Sequence, residues 1–252
     1  MTLYNHFAQV YARGYYPEFS QALANLMPGI FSQFEIPSSG KLVDLACGEG
    51  SFALEMARKG WDVTGIDQSE EMLRLARNRA ATLDAMIEFS QQDMREFSVP
   101  VPADLVTCWF DSLNYLLRIE DVQSAFGRVY QALKPGGWFI FDMNTIYGLA
   151  VEWQKQKCYV QQETEDLLEL HQTNYDYDKR MATMRITWFI RNENNWQKYE
   201  EIHFERAYSV DKIKNALIAA GFSFEASYGS LKSMSPVKQD STRAWIFAQK
   251  KA

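Results

Sequence analysis

Apolar positions in this chain first recur at helical spacing. From Glu18 to Phe34, residues Phe19, Leu23, Leu26, Met27, Ile30 and Phe31 fall on one face of a helix. Pro37-Ser38-Ser39-Gly40 breaks it. The period then shortens. Lys41–Leu45 reads as a buried strand, Ala46–Gly50 as a loop, and Ser51 to about Lys59 as a helix that Gly60 closes in the left-handed conformation. Asp62–Asp67 predicts a second strand, and Ser69 caps a helix that turns Met72, Leu73 and Ala76 inward. Met86–Phe89 and Asp104–Cys108 predict a third and a fourth strand. Asp121–Leu133 is helical, Lys134-Pro135-Gly136-Gly137 a sharp turn, and Trp138–Met143 a fifth strand. Strand and helix in alternation predict an α/β, doubly wound, Rossmann-like sheet covered on both faces.

Past Asn144 the alternation stops. Cys158–Ser209 carries long segments of period two, Leu167–Tyr175, Met181–Ile190 and Trp196–Tyr208, separated by Tyr177-Asp178-Lys179 and Arg191–Asn195. Three or so antiparallel strands are expected there, as an insertion over about 145–209. The earlier pattern resumes with a helix at Val210–Ala220, closed by Gly221, and strands at Ser223–Tyr228 and Ala244–Gln249. Residues 1–252 therefore read as a single domain, with 1–36 as an N-terminal helical cap and an antiparallel β insertion before the last helix.

Composition narrows the function classes. Hydrophobic residues make up 47% of the 252 and aromatic residues 14%, ample for a packed core. The net charge is −6, and no basic cluster exceeds Arg77-Asn78-Arg79 or Lys250-Lys251, which disfavours nucleic acid. A small-molecule partner fits better. Cys47, Cys108 and Cys158 are far apart and form no CxxC pair, against a disulfide framework or zinc. No His/Asp cluster has ligand spacing, so no metal is expected. No apolar run reaches bilayer length, and Met1–His6 lacks the pattern of a secretion signal, so the expected location is the cytoplasm.

Gly48-Glu49-Gly50-Ser51-Phe52-Ala53 fits the G-x-G-x-x-G/A turn between a strand and a helix, where glycine lets backbone approach a nucleotide. Asp67 ends the next strand, about twenty residues on, where a carboxylate can accept from both ribose hydroxyls. S-adenosylmethionine (SAM) and NAD both carry that ribose, so this pair leaves them open.

The flanking residues separate the two. Val43-Asp44-Leu45-Ala46-Cys47-Gly48-Glu49-Gly50, Thr64-Gly65-Ile66-Asp67-Gln68-Ser69, Gln92-Asp93-Met94 and Leu133-Lys134-Pro135-Gly136-Gly137 stand in order over Leu42–Met143. In these four segments the chain resembles the class I SAM-dependent methyltransferases. The resemblance implies a seven-stranded sheet with an antiparallel last strand. It also implies Asp44, Ala46, Gly48 and Gly50 around the methionine end of SAM, and Asp67 on the ribose. Gln68 and Met72 would lie beside the adenine, Asp93 would accept from its amino group, Met94 would lie nearby, and Phe110 would pass close to the methyl donor. The donor chemistry agrees. SAM presents an ammonium, two hydroxyls and an adenine amine, all suited to carboxylate or carbonyl acceptors. A dinucleotide pyrophosphate would meet repulsion from Asp44 and Glu49.

Two further stretches, Tyr4–Ala12 and Phe110-Asp111-Ser112-Leu113-Asn114-Tyr115, are similar to small-molecule methyltransferases acting on sugar amines and glycine. That similarity implies an N-terminal helix closing over SAM, with Tyr11 and Arg13 reaching its carboxylate. It also implies a strand-rich insertion that covers the acceptor or makes subunit contacts, the latter giving a homodimer. The Tyr4, Phe7, Tyr11, Tyr15 stripe equally suits plain packing. The expected acceptor is a small-molecule N or O nucleophile. An amine needs only to be neutral, whereas for a hydroxyl the candidate base is His203, sharing a strand face with Glu201, or Tyr115. General exposure trends instead put His203 on a solvated or interface face. A nicotinamide-dependent oxidoreductase and a non-catalytic SAM-binding protein are the competing readings.

Overall fold

The computed structural model describes residues 7–13, 16–193 and 195–251; Tyr4, His6 and Tyr15 lie outside them. The first helices are α1 (Ala8–Arg13) and α2 (Tyr16–Gln33). Leu23, Met27, Ile30 and Phe31 of α2 are buried as their spacing predicts, but Leu26 is exposed, since the stripe is narrower than six residues. The alternating half follows as β1 (Lys41–Leu45), α3 (Ser51–Arg58), β2 (Asp62–Asp67), α4 (Glu70–Thr82), β3 (Glu88–Gln91), β4 (Ala103–Cys108), α5 (Ile119–Ala132) and β5 (Leu133–Asn144). Gly60 has φ +94° and Ser69 accepts from the Met72 amide, the two predicted helix signals. Met86 lies outside β3 and is exposed, because pairing of Thr64 with Glu88 sets where that strand begins.

Lys134–Gly137, expected as a sharp turn ahead of the fifth strand, loops out within the span of β5, with Gly136 at φ +81°. Leu133 pairs with Ala103 and Trp138 with Leu105, so four residues loop out against one on β4. Backbone bonds between Gly136, Gly137 and Lys250 hold the loop down.

The insertion is a sheet of its own, with four strands where three or so are expected: β6 (Cys158–Glu163), β7 (Leu167–Asp176), β8 (Met181–Asn192) and β9 (Asn195–Arg206) in the order β6-β7-β8-β9. The chain then adds α6 (Val210–Ala219), β10 (Ser223–Ser230), β11 (Ser235–Pro236) and β12 (Arg243–Gln249). The main sheet runs β11-β10-β12-β5-β4-β1-β2-β3. It has eight strands, not seven. The extra one is the two-residue β11, which folds back on Tyr228 and Ser230 and is too short for any periodicity to announce. β1 to β5 pair in parallel, and β12 is antiparallel to both β5 and β10.

Each face of the main sheet carries its own core. Val43, Val106, Phe139 and Phe141 pack with Phe126 and Leu217 on one side; Leu42, Leu105 and Phe247 pack with Met27, Phe31 and Phe52 on the other. Strands buried on both faces explain the continuous apolar runs. A third cluster joins Phe7, Val10 and Tyr16 to Leu167, Ile186 and Trp188, so the N-terminal helices bind one face of the second sheet. Among the described residues no helix is long and apolar enough to cross a membrane.

Candidate active site

The carboxyl ends of β1, β2 and β4 and the turn after β3 open on one cavity of about 380 Å³. Tyr11, Asp44, Ala46, Gly48, Asp67, Gln68, Met72, Asp93, Met94 and Phe110 line it, as does Tyr115. Gly50 is outside the lining. With φ +81° it is the N-cap of α3, and a Cβ there would come within 2.9 Å of the Ala76 Cβ, so its missing side chain serves the approach of α4. Arg13 ends α1, and its side chain lies outside the described part of the structure.

Chain reversal after β1 uses Ala46 at φ +58° and Gly48 at φ +55°. The Cys47 amide, bonded to the Ile66 carbonyl at 3.0 Å, ties the loop to β2. Asp67 is held from behind. The Gly48 amide donates to its Oδ2 at 2.9 Å and the Ser69 amide to its Oδ1 at 2.8 Å. Each oxygen keeps a second lone pair, the arrangement that two adjacent hydroxyls require. Desolvation raises its pKa, against the pull of the Ser69 and Gly48 amides.

Asp44 is more extreme. It is 2% exposed and accepts from the Thr107 hydroxyl at 3.0 Å. Burial pushes its pKa up to about 8, with Thr107 opposing and the Asp67 and Glu49 carboxylates adding to the rise. Such a carboxyl is short of a cation. Glu49 has one: Arg79 of α4 pairs with it, and Ser51 donates to it at 2.9 Å. The acidity of the glycine loop is thus partly neutralised from α4, which weakens Glu49 as a repulsive element against phosphate.

Asp93 is grasped by Arg95 through its Nε at 2.9 Å, and this pairing lowers the carboxyl pKa. Past the end of β4, Phe110 and Asp111 take consecutive left-handed conformations, φ +57° and +50°. Phe110 rests on Phe19 at 4.3 Å between ring centres, and Tyr11 stacks on Tyr16 at 4.2 Å. The Phe110 and Tyr11 rings that line the cavity are thus each backed by a second aromatic ring.

His203 is 2% exposed, which corrects the expectation of a solvated strand face. Its strand turns it inward because the same face of β7, β8 and β9 packs on the N-terminal helices. The Tyr115 hydroxyl lies 2.9 Å from His203 Nδ1, and Glu201 Oε2 is 3.4 Å from His203 Nε2. Tyr115, His203 and Glu201 form a line leading from the cavity wall into the second sheet.

The family described as methyltransferase domain matches residues 42–137. A protein of Bacillus subtilis (strain 168), YqeM, whose name assigns it to the methyltransferases, is 33% identical over 218 residues, 85% of this chain and 86% of its own. The chain belongs to the methyltransferase family. Its fold is shared with a SAM-dependent methyltransferase from Clostridium acetobutylicum ATCC 824, at TM-score 0.84 and 23% identity over 100% of both chains. It is also shared with CalS10, an amino pentose methyltransferase from Micromonospora echinaspora solved with SAM bound, at TM-score 0.71 and 18% identity over 100% of this chain and 99% of that one.

In this methyltransferase two buried polar groups escaped the sequence reading. Arg243 pairs with Asp111 at 2.7 Å and with Asp142, and Asn144 donates to Glu205 at 2.8 Å. The Asp111 amide donates to Asp142 at 3.1 Å, pinning the left-handed loop beside Phe110. Burial raises Asp142 to about 6, with Arg243 opposing. A lone acid inside the apolar run Trp138–Met143 was the available signal. The second group is Glu169, fully buried, accepting from Tyr16 at 3.2 Å and facing His171 Nε2 at 2.5 Å. Only alternation along β7 hinted at it.

Proposed function

We propose that this methyltransferase binds SAM in the 380 Å³ cavity and moves its methyl group to a small-molecule N or O acceptor. The carrying observation is the pair Asp44 and Asp67, carboxylates at successive strand ends, one starved of a cation and the other presenting two lone pairs. That donor set fits an ammonium and a ribose diol. Asp44 would take the ammonium, with Ala46 and Gly48 beside it and Tyr11 and Arg13 at the carboxylate. Gly50 supports the loop. Asp67 would hold the ribose, with Gln68 and Met72 flanking the adenine, Asp93 accepting from its amine, and Met94 alongside. Phe110 would close the methyl end.

Bound there, SAM supplies a methyl group on sulfonium, already a good leaving group. The protein's part is alignment and exclusion of water. An amine acceptor needs only to be held neutral. A hydroxyl acceptor would give its proton to Tyr115 as that hydroxyl passes its own to His203 Nδ1, with Glu201 fixing the imidazole through Nε2. CalS10, an amino pentose methyltransferase, supports the small-molecule reading through the shared fold. The test is incubation of methyl-labelled SAM with fractionated metabolites, followed by mass spectrometry. Label on one small product supports the reading; SAM bound without transfer to any fraction, or label only on macromolecules, overturns it.

A further inference from the structure

Phe110 and Asp111 hold the left-handed conformation in succession, and neither is glycine. That backbone costs an L residue free energy, so it persists only where surrounding contacts over-determine it. Here the contacts are ionic. Arg243 of β12 reaches Asp111 at 2.7 Å with one arm of its guanidinium and Asp142 of β5 with the other, and the Asp111 amide donates to Asp142 at 3.1 Å. Glu205 of β9 joins from the second sheet, in contact with the Asp111 carboxylate. It is 3% exposed and accepts from the Asn144 side-chain amide at 2.8 Å.

Charge does not balance in this cluster. Asp111, Asp142 and Glu205 meet one guanidinium, and both its arms are taken by the first two. Among the described residues no ion pair involves Glu205. Its other neighbours supply no fixed cation. His203 and Arg206 lie beside it on β9, with Arg206 giving its guanidinium to the Leu117 carbonyl, while Ala182 and Tyr175 continue its row across β8 and β7. Two buried carboxyl groups in contact, with a cation on only one of them, do not both ionise; a proton bridges them. Burial pushes the Glu205 carboxyl well above the usual carboxylate range, the Asp111 charge adding to the rise and Asn144 opposing it. Asp111 already has the guanidinium, so the proton sits on Glu205.

We infer that Glu205 is a positioning residue of the cavity: protonated at neutral pH, it donates to Asp111 and so ties the second sheet to the cavity wall at Phe110. The arrangement stands without a cofactor, and only its effect on SAM rests on the function proposed above.

The test compares the wild-type chain with Glu205→Gln, which keeps an uncharged donor in place, and with Glu205→Ala, which keeps none. Urea unfolding from pH 6 to 8 reads the proton. The folded state holds it, while the unfolded carboxyl has lost it. The folding equilibrium constant of wild type should therefore fall, relative to Glu205→Gln, by up to ~tenfold per pH unit. Amide exchange at 110–112 reads the position. Protection should match wild type in Glu205→Gln and drop ~tenfold or more in Glu205→Ala, beyond any change elsewhere in the main sheet. SAM affinity at pH 7 should follow, within about twofold of wild type for the glutamine variant and ~5- to 10-fold weaker for the alanine. A wild-type to Glu205→Gln ratio that stays flat across this pH range overturns the proton. Exchange at 110–112 unmoved by Glu205→Ala, or SAM bound equally by that variant and wild type, overturns the positioning role. Unfolding and exchange are read without ligand, so a failure of the cofactor reading is told apart from a failure of this one.

Discussion

At the scale of single residues, Asp44 sets the behaviour of the site. Its pKa near 8 means that in the empty protein it is mostly protonated at neutral pH. A cationic ligand binds the ionised form, so binding below pH 8 expels a proton. SAM affinity should therefore rise from pH 6 to 8 and fall above that as the ligand's own α-ammonium, of pKa about 8, deprotonates. Calorimetry at pH 7 in buffers of different ionisation heat should show release of roughly one proton; an observed heat independent of buffer would contradict it. The same shift affects stability. Asp44 has a folded pKa above its unfolded one, so the folded state holds the extra proton and stability falls as pH rises from about 4 through 8. Asp44→Asn keeps an oxygen for Thr107 and removes that loss. The ligand-free variant should be about 1–3 kcal/mol more stable than wild type at pH 8 in urea titration, yet bind SAM at least ~100-fold more weakly. Loss of stability on this change would refute the cation-starved description.

At the scale of elements, the second sheet supports the N-terminal helices where they reach the cavity. Tyr11 lines the cavity and stacks on Tyr16, whose hydroxyl donates to the fully buried Glu169 on β7. His171 and Gln162 approach the same carboxylate, each at 2.5 Å. A buried carboxylate costs desolvation, and its partners repay that only in one geometry, so it specifies position more than stability. Glu169→Gln should then leave the urea midpoint nearly unchanged while weakening SAM binding ~5- to 10-fold. Unfolding without a separate loss of affinity would mark Glu169 as a purely structural group.

At the scale of the whole molecule, SAM would touch loops after β1, β2, β3 and β4 as well as α1, elements from both ends of the first half of the chain. A ligand bound only by the folded state stabilises it by about 2.7 kcal/mol at a hundredfold excess over Kd. For a chain of this size that is a rise of roughly 5–10 °C in Tm. Thermal unfolding with and without SAM measures it; an equal rise with NADH, or none with SAM, would move the cofactor assignment to the nicotinamide reading.

The sequence by itself determined the alternating half. β1, β4 and the Trp138–Asn144 part of β5 are buried on both faces, so their apolar runs are nearly continuous, and α3, α4 and α6 are marked by a cap or terminal glycine at Gly60, Ser69 and Gly221. Asp44 was legible because a carboxylate ending a buried strand needs a partner, and Asp67 and Asp93, of a residue type that turns also favour, stood out by their joint placement after successive strands. Only the tertiary structure decided the rest. Whether His203 faced water or the interior depended on which side of β9 met the N-terminal helices, and period-two alternation is the same for either. The pairing of Glu49 with Arg79, the bond of Tyr16 to Glu169, and the joining of Asp111 to Arg243 link residues 30 to 153 positions apart. Such contacts obey no local period, because they arise where separate elements happen to pack.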